Sequence, residues 1–250
     1  MTELLQVLNG FEPISLEEMD GVKLMDRTDT KFVLRLDQLL LVLPEIESHY
    51  RALEVQGIRM SKYETLYYDT PDLQLYHKHQ NRKLNRYKIR ARNYVESDLN
   101  FFEIKFKNNK GRTIKTRIKI SKLNKKLEEK ERDLLFEKTG IRYTEIIPQI
   151  WVNYHRTTFV SKNTCERVTV DTGLHFLKDS ETVRYDSLVI VEVKQERAAG
   201  SPIIDALKKY SIREGSLSKY CLGIMSVVPG IKQNNFKQNK LTINKLLYAY

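Results

Sequence analysis

The sequence places basic side chains at every second position in several segments of its middle part. Residues 87–94 read YKIRARNY, so that Lys88, Arg90 and Arg92 alternate with largely apolar residues, and residues 112–120 repeat this pattern. Because alternate residues of a β-strand share one face, each segment is predicted to be a strand with one cationic and one apolar face. Such a face is suited to phosphate groups, since arginine contacts phosphate oxygens in pairs and lysine supplies a compact charge.

Carboxylates are rare among these basic residues. Glu103 lies two residues before Lys105, and Glu192 lies two residues before Lys194. Carboxylate oxygens are preferred ligands of Mg²⁺ and Mn²⁺, which bridge phosphates, and we expect Glu192 to be the better metal ligand of the two. The alternative is that both carboxylates form ion pairs that separate the basic residues.

The recurrence of this pattern in five segments indicates a shared ligand. In a single strand, charges on one face ordinarily lie in water. Across five strands, one sheet face would carry about ten lysines and arginines, which repel each other unless an anion neutralises them. A sheet closed into a barrel would enclose these charges in a tunnel suited to an extended chain of phosphates.

A flat basic sheet would instead suit RNA, with tyrosines as stacking platforms for the bases. The candidate tyrosines are Tyr63, Tyr67, Tyr68, Tyr87 and Tyr94. We favour nucleic acid less, because these side chains are also suited to packing between the sheet and the helices.

Composition limits the cellular setting. The net charge of +11 favours a polyanionic partner, and 41% hydrophobic residues in a chain of 250 can form a sizeable core. No apolar run is long enough to span a membrane, and the N-terminus does not have the pattern of a secretory signal. Cys165 and Cys221 match no disulfide or zinc spacing. We therefore expect a cytoplasmic protein with reduced thiols.

The periodicity predicts the α+β class, with antiparallel strands and surrounding helices in one domain of residues 1–250. Strands are predicted at residues 31–35, 64–69, 87–94, 100–107, 112–120, 154–161, 167–172 and 188–194. Helices are predicted at residues 15–19, 37–50, 123–139, 202–210 and 217–227. A hairpin turn is expected at residues 108–111, which read NNKG.

Eight short segments, taken together, resemble one known family. They are residues 67–70 (YYDT), 75–76 (LY), 85–94 (NRYKIRARNY), 102–105 (FEIK), 154–159 (YHRTTF), 167–172 (RVTVDT), 191–194 (VEVK) and 218–220 (SKY). In this order, over a core of about residues 26–227, they are similar to the VTC domain. This is the polyphosphate polymerase domain of the vacuolar transporter chaperone, in the triphosphate tunnel metalloenzyme (CYTH-like) superfamily.

The resemblance implies an antiparallel eight-stranded β-barrel with helices packed outside, and Mn²⁺ or Mg²⁺ as cofactor. It implies that ATP or another nucleoside triphosphate donates its terminal phosphate to inorganic polyphosphate. By motif, the catalytic phosphate-binding residues would be Lys31, Arg90, Arg92, Lys105, Lys115, Arg156, Arg167 and Lys219. Supporting contacts are expected from Arg86, Lys88, Arg117, Lys194 and Ser218, and metal binding from Glu192 and Glu103.

The sequence departs from the family in two places. The acidic Glu-x-Glu-x-Lys motif of the superfamily is reduced to residues 28–31 (TDTK), preceded by Asp26. His79 stands where the eukaryotic members have an arginine, which Arg82 or Arg86 could replace. The reduced motif disfavours a two-metal triphosphatase and fits polymerase-type members better.

Two other functions remain open beside polyphosphate synthesis. The first is a polyphosphate-binding module without turnover, and the second is a hydrolase of triphosphates or polyphosphate. We expect no membrane insertion, so that coupling to transport would require a separate membrane partner. Replacing Arg90 and Arg92 by alanine is expected to abolish phosphate-chain binding and to leave the fold intact.

Overall fold

The computed structural model describes residues 2–20, 28–196 and 200–248. In these ranges the strands are β1 (Glu12–Ile14), β2 (Thr28–Arg35), β3 (Tyr50–Leu53), β4 (Ser61–Asp69), β5 (Arg86–Tyr94), β6 (Leu99–Lys107), β7 (Thr113–Ile120), β8 (Ile147–Ser161), β9 (Glu166–Lys178), β10 (Glu181–Tyr185) and β11 (Leu188–Gln195). The helices are α1 (Thr2–Asn9), α2 (Leu16–Asp20), α3 (Leu36–Ile46), α4 (Gln74–Gln80), α5 (Glu129–Thr139), α6 (Pro202–Lys209), α7 (Lys219–Val227) and α8 (Lys237–Tyr248). None of these helices combines the length and the apolar character needed to cross a membrane.

The strands form one large sheet. Eight of them follow the order β2-β11-β9-β8-β4-β5-β6-β7, and every neighbouring pair along this path is antiparallel. β10 extends the sheet beside β9, while β3 pairs with β8 and, in parallel, with β1. The predicted α+β class with antiparallel strands is therefore confirmed.

The expectation of a closed barrel is not confirmed. The first and last strands of the path, β2 and β7, are not hydrogen-bonded to each other in the described part of the chain. The edge of β2 is instead covered by the segment before α7. In this segment, Gly215 N donates to Lys31 O at 2.9 Å, and Glu214 forms an isolated antiparallel β-bridge with Phe32. This segment takes up part of the β2 edge, and the sheet is open between β2 and β7.

Helices cover the apolar faces of the strands. On the outer face, α3 and α6 pack over β2, β9 and β11 around Leu43 and Val191, and β5 and β6 bury Ile89 and Phe102 with Leu135 of α5. The other face is apolar at one end, where α7 packs closely. A Cβ atom at Gly223 of α7 would lie 2.7 Å from the Phe176 ring and 2.8 Å from Ile150, so only glycine permits this approach.

Helix termini follow the capping signals only in part. Ser15 and Glu18 form reciprocal backbone-to-side-chain hydrogen bonds of 2.8 and 3.2 Å at the start of α2, and Ser201 caps α6. The helix predicted at residues 37–50 begins one residue earlier and ends at Ile46. The helix predicted at residues 123–139 begins only at Glu129, although its end at Gly140 is confirmed. α1, α4, α8, β1, β3 and β10 were not predicted.

Candidate functional site

The strand register brings the basic side chains onto one face, which we call the inner face and which α7 covers at one end. Lys88, Lys105 and Lys115 lie opposite each other across β5, β6 and β7. In an antiparallel sheet, opposite residues project to the same side. By the same register, the inner face carries the sequence-predicted residues Lys31, Arg86, Arg90, Arg92, Glu103, Arg117, Arg156, Arg167, Glu192 and Lys194, while Ser218 and Lys219 reach it from the start of α7.

The inner face is concave. β2 and β5 are separated by five steps between neighbouring strands, which in a flat sheet would amount to about 24 Å. The chain bridges them, because Gly215 N binds the Lys31 carbonyl and Ser218 Oγ accepts a hydrogen bond from Lys88 Nζ at 2.9 Å. The three residues from Gly215 to Ser218 span at most about 11 Å, and the Lys88 side chain adds about 6 Å. The rows of Lys31 and Lys88 are also offset by about ten residues along β8, so that only a curved sheet brings the two strands this close. Burial lowers the pKa of Lys88, and the Lys31 charge lowers it further.

A buried carboxylate organises one group of cations. Glu103 is 0% exposed and accepts a hydrogen bond of 2.7 Å from Arg90 Nε, and Lys115 contacts its other oxygen. Burial alone would raise the pKa of Glu103, but the charges of Arg90, Arg92 and Lys115 outweigh it and hold the pKa well below its usual range. Since Glu103 is enclosed by cations and not exposed to solvent, it does not fit the predicted role of metal ligand.

A second carboxylate, Asp171, organises another group. Arg156 donates to it from Nε and Nη2 at 2.6 and 2.8 Å, and Lys219 also contacts it. Burial opposes ionisation of Asp171, but Arg156 and Lys219 outweigh this effect and lower its pKa to about 2. The sequence pattern alone predicts no role for Asp171. Asp171 lies between Arg156 and Lys219 only because β9 pairs with β8 and the start of α7 packs beside them.

Tyrosine rings line the floor between these two groups. Arg92 and Arg156 lie 5.4 and 5.0 Å from the ring centre of Tyr63, and Lys219 lies 4.7 Å from that of Tyr154. Cations over aromatic faces are attracted by the ring electrons. Both rings are buried.

The other tyrosines considered for RNA stacking are also largely withdrawn from solvent. Tyr67 and Tyr68 are buried, at 5% and 2% exposure, and Tyr67 accepts a hydrogen bond from Arg90 Nη1 at 3.1 Å. Tyr94 is partly buried against Tyr63, and Tyr87 stacks on Phe106. These side chains pack within the protein, which agrees with the expectation that they are packing residues and not stacking platforms for RNA bases.

Several inner-face cations have no carboxylate within ion-pair distance among the described residues, and three of them lie on β5 and β6 near Glu103. Arg92 donates to Thr65 Oγ1 at 3.2 Å, Lys88 donates only to Ser218, and Lys105 makes neither a hydrogen bond nor an ion pair. The charge of Arg90, together with burial, lowers the pKa of Lys105 well below its usual range. The site therefore holds an excess of positive charge that an anion would neutralise.

Glu192 differs from Glu103 in being accessible. Its carboxylate lies 3.5 Å from Lys31 Nζ and 3.2 Å from Lys194 Nζ, with 21% of the side chain exposed. Burial would raise its pKa, but Lys194 and Lys31 outweigh burial and lower it.

The described residues contain no group of three or more histidine, cysteine, aspartate or glutamate side chains able to hold a metal ion. A hard divalent ion is commonly held by one or two carboxylates together with phosphate oxygens and water, and Glu192 fits such a site. Asp26, the other acidic residue near the reduced motif, lies outside the described residues.

The remaining predicted residues lie at the margins of the inner face. Arg167 donates to the Met19 carbonyl at 3.1 Å, Arg86 donates to the Lys83 carbonyl at 2.6 Å, and Arg117 lies over the Phe101 ring.

His79 does not replace the missing arginine as a cation. Burial, with the nearby charges of Lys88 and Arg86, lowers its pKa to about 3. The imidazole is therefore neutral near pH 7. Of the two proposed replacements, Arg82 is exposed, whereas Arg86 is partly buried on the inner face.

Comparisons with known proteins agree with this architecture. The sequence profile of the VTC domain matches residues 26–228, whereas no curated protein matches the chain. A protein from Hippeastrum, described as a candidate adenylyl cyclase with a dominant triphosphatase activity, superposes with a TM-score of 0.53 at 12% identity, over 82% of this chain and 98% of that one. A candidate adenylate cyclase from Bacillus halodurans gives 0.49 at 14% identity, over 78% and 96% of the two chains. The Hippeastrum protein shares the fold.

Proposed function

The chain belongs to the VTC domain family, and we propose that its inner face carries out metal-assisted phosphoryl transfer that extends inorganic polyphosphate from a nucleoside triphosphate. The observation that carries this proposal is the row of Lys88, Lys105 and Lys115 across three neighbouring strands, in which only Lys115 contacts a carboxylate. Like charges directly opposite each other destabilise an antiparallel pair. A bound phosphate chain would neutralise them.

The extent of the charged face supports a chain of phosphates over a single phosphate. Cations project from β2 at Lys31, from β8 at Arg156 and from β7 at Lys115, so that they reach both ends of the strand path. Between them lie the unpaired cations of β5 and β6. Because the face is concave, an extended ligand would contact several strands at once.

In the proposed mechanism, residues of the inner face align the phosphates and stabilise the transferred group. Arg90, Arg92 and Lys105 would neutralise its oxygens. Arg156 and Lys219 are held in place by Asp171, so little reorganisation would accompany binding. No covalent enzyme intermediate is required, because positioning and charge stabilisation supply most of the catalysis in phosphoryl transfer.

Glu192 is the residue that would hold Mg²⁺ or Mn²⁺ against the phosphate oxygens, where the ion would neutralise further charge.

Two specific observations keep other functions under consideration. The reduced acidic motif leaves Asp29 as its one carboxylate, opposite Lys194, and this favours a binding module without turnover. The shared fold with the Hippeastrum protein, which is described as a triphosphatase, favours a hydrolase. Both functions would use the same cations.

The test is incubation of the purified protein with ATP and MnCl₂, followed by sizing of the polymer on gels and by measurement of released phosphate. Chain growth supports the proposal. Phosphate release without polymer selects the hydrolase, and polyphosphate binding without ATP consumption selects the binding module. Lys105→Met should lose the activity, whereas Lys130→Met, the same change on an exposed position of α5, should keep it.

A further inference from the structure

A second concavity lies beside the inner face. It is a cavity of about 510 Å³ between α8, the segment before α7 and the junction of β2 with α3, lined among others by Val33, Gln38, Ser216, Asn239 and Thr242. This volume is within the range of roughly 300 to 1,000 Å³ typical of small-molecule sites. None of the residues assigned above to phosphate or metal binding lines it.

The cavity adjoins the phosphate-binding end of the inner face. Val33 in its wall follows Lys31 by two residues and projects to the same side of β2. Gly215, also in its wall, donates to the Lys31 carbonyl, and three residues later Ser218 accepts from Lys88. A ligand with its phosphates at Lys31 and Lys88 would therefore have its other end next to the cavity.

The lining differs in character from the inner face. It contains one cation, Arg213, and one carboxylate, Glu214, and is otherwise made of amide, hydroxyl and aliphatic side chains and a glycine. A site of this composition has no excess charge for phosphate. It fits a neutral, polar, partly apolar group.

Two amides in the lining offer complementary hydrogen-bonding groups. Gln38 Oε1 accepts from Arg35 N at 3.0 Å, and its NH₂ group has no partner among the described residues. Asn239 donates its own NH₂ group to the Ser216 carbonyl, so that its oxygen is left as an acceptor. A donor together with an acceptor matches the edge of a nucleobase, while Val33 and Leu246 supply apolar contacts for the ring.

We propose that this cavity binds the nucleoside part of a nucleoside triphosphate whose phosphates lie on the inner face. The inference rests on the proposed function, because it needs a triphosphate at Lys31 and Lys88. It adds a specificity site outside the cationic face, which would distinguish nucleotides from inorganic phosphate chains.

The experiment measures the affinities of ATP and of inorganic tripolyphosphate in parallel by calorimetry. In the double variant Gln38→Ala/Asn239→Ala, the affinity for ATP should fall roughly tenfold or more, as expected for two lost hydrogen bonds, while that for tripolyphosphate stays within about twofold. Thr242→Phe, which fills the cavity without removing either amide, should give the same pattern. The matched control is Asn244→Ala, on the same helix but outside the lining, and should change neither affinity.

Three outcomes would overturn the inference. Unchanged ATP affinity in both cavity variants would show that the nucleoside lies elsewhere. Equal losses for ATP and tripolyphosphate would assign these residues to the phosphate site or to folding. Failure of the unmodified protein to bind ATP would refute the proposed function and the nucleoside site with it, whereas either of the first two outcomes would refute only the nucleoside site.

Discussion

Lys88 of β5 and Lys105 of β6 lie directly opposite each other on the inner face. Neither ammonium group has a carboxylate within ion-pair distance in the described part of the chain, because the nearby Glu103 is taken by Arg90 and Lys115. The free protein therefore bears a repulsion that a bound phosphate chain would relieve. Ligand affinity and stability of the free protein should respond in opposite directions at this position.

Lys105→Met should separate these two effects. Removing one of two facing charges should raise the unfolding free energy of the free protein by about 0.5 to 1 kcal/mol, while the affinity for polyphosphate should fall at least roughly tenfold. Thermal melting with and without polyphosphate measures both quantities. Lys130→Met on α5 is the control, and a Lys105→Met protein that melts at a lower temperature and binds normally would contradict the charge argument.

Arg90 and Arg92 should not be equivalent, contrary to the expectation that both can be removed without harm to the fold. Arg90→Ala leaves the buried Glu103 with Lys115 as its remaining direct ion-pair partner, which should cost about 3 kcal/mol or more of unfolding free energy. Arg92 contacts Thr65 and tyrosine rings, so that Arg92→Ala should cost about 1 kcal/mol.

Urea denaturation of the two single variants measures this difference, and both should bind polyphosphate weakly. If the loss of stability in Arg90→Ala comes from the buried charge of Glu103, adding Glu103→Gln should recover part of that loss. Equal destabilisation by the two single substitutions would mean that Glu103 does not depend on Arg90.

Asp171 should make stability depend on pH in the acidic range. Its pKa falls from 3.8 to about 2 in the folded protein, where Arg156 and Lys219 outweigh burial. A lowered folded-state pKa stabilises the protein above the unfolded pKa, and this contribution is lost as the pH falls from about 4 to 2. The linked contribution at pH 6 is on the order of 2 kcal/mol.

Denaturation curves at pH 3, 4, 5 and 6 test this linkage with Asp171→Asn. The difference in unfolding free energy from the unmodified protein should be largest at pH 6 and should shrink towards pH 3. Asp133→Asn, at an exposed position on α5, serves as the control. A difference that is independent of pH would show that the stabilisation by Asp171 does not depend on its charge.

Glu192 and Glu103 should differ in their effect on metal dependence. Glu192→Gln should remove the dependence of phosphoryl transfer on Mn²⁺ concentration, but should leave polyphosphate affinity in EDTA within about threefold. Glu103→Gln should lower the melting temperature instead, because Arg90 and Lys115 lose their buried counter-ion. Activity titrations with MnCl₂, together with calorimetry in EDTA, distinguish the two, and an unchanged Mn²⁺ response in Glu192→Gln would contradict the assignment.

Local pattern was enough to predict much of the sheet. The eight predicted strands correspond to the eight strands of the main path, because alternation of side chains is fixed by the extended backbone itself. For the same reason, the shared face of Lys88, Arg90 and Arg92 could be read from the sequence. The helix predicted to begin at residue 123 was too long at its start. Residues 123–128 carry a helical pattern of charges but lie before the first turn of α5. Strand ends and short edge strands depend on partners that lie far away in sequence.

The sequence by itself determined the alternation, the excess of basic charge and the family resemblance, all of which are carried by neighbouring residues. Only the tertiary structure decided which strands adjoin, that Asp171 holds both Arg156 and Lys219, and that Glu103 is enclosed by cations while Glu192 is accessible. It also decided that the edge of β2 is covered by the segment before α7 and that the sheet stays open. The physical reason is that an ion pair or a covered edge depends on distances between segments far apart in the chain, which no local periodicity specifies.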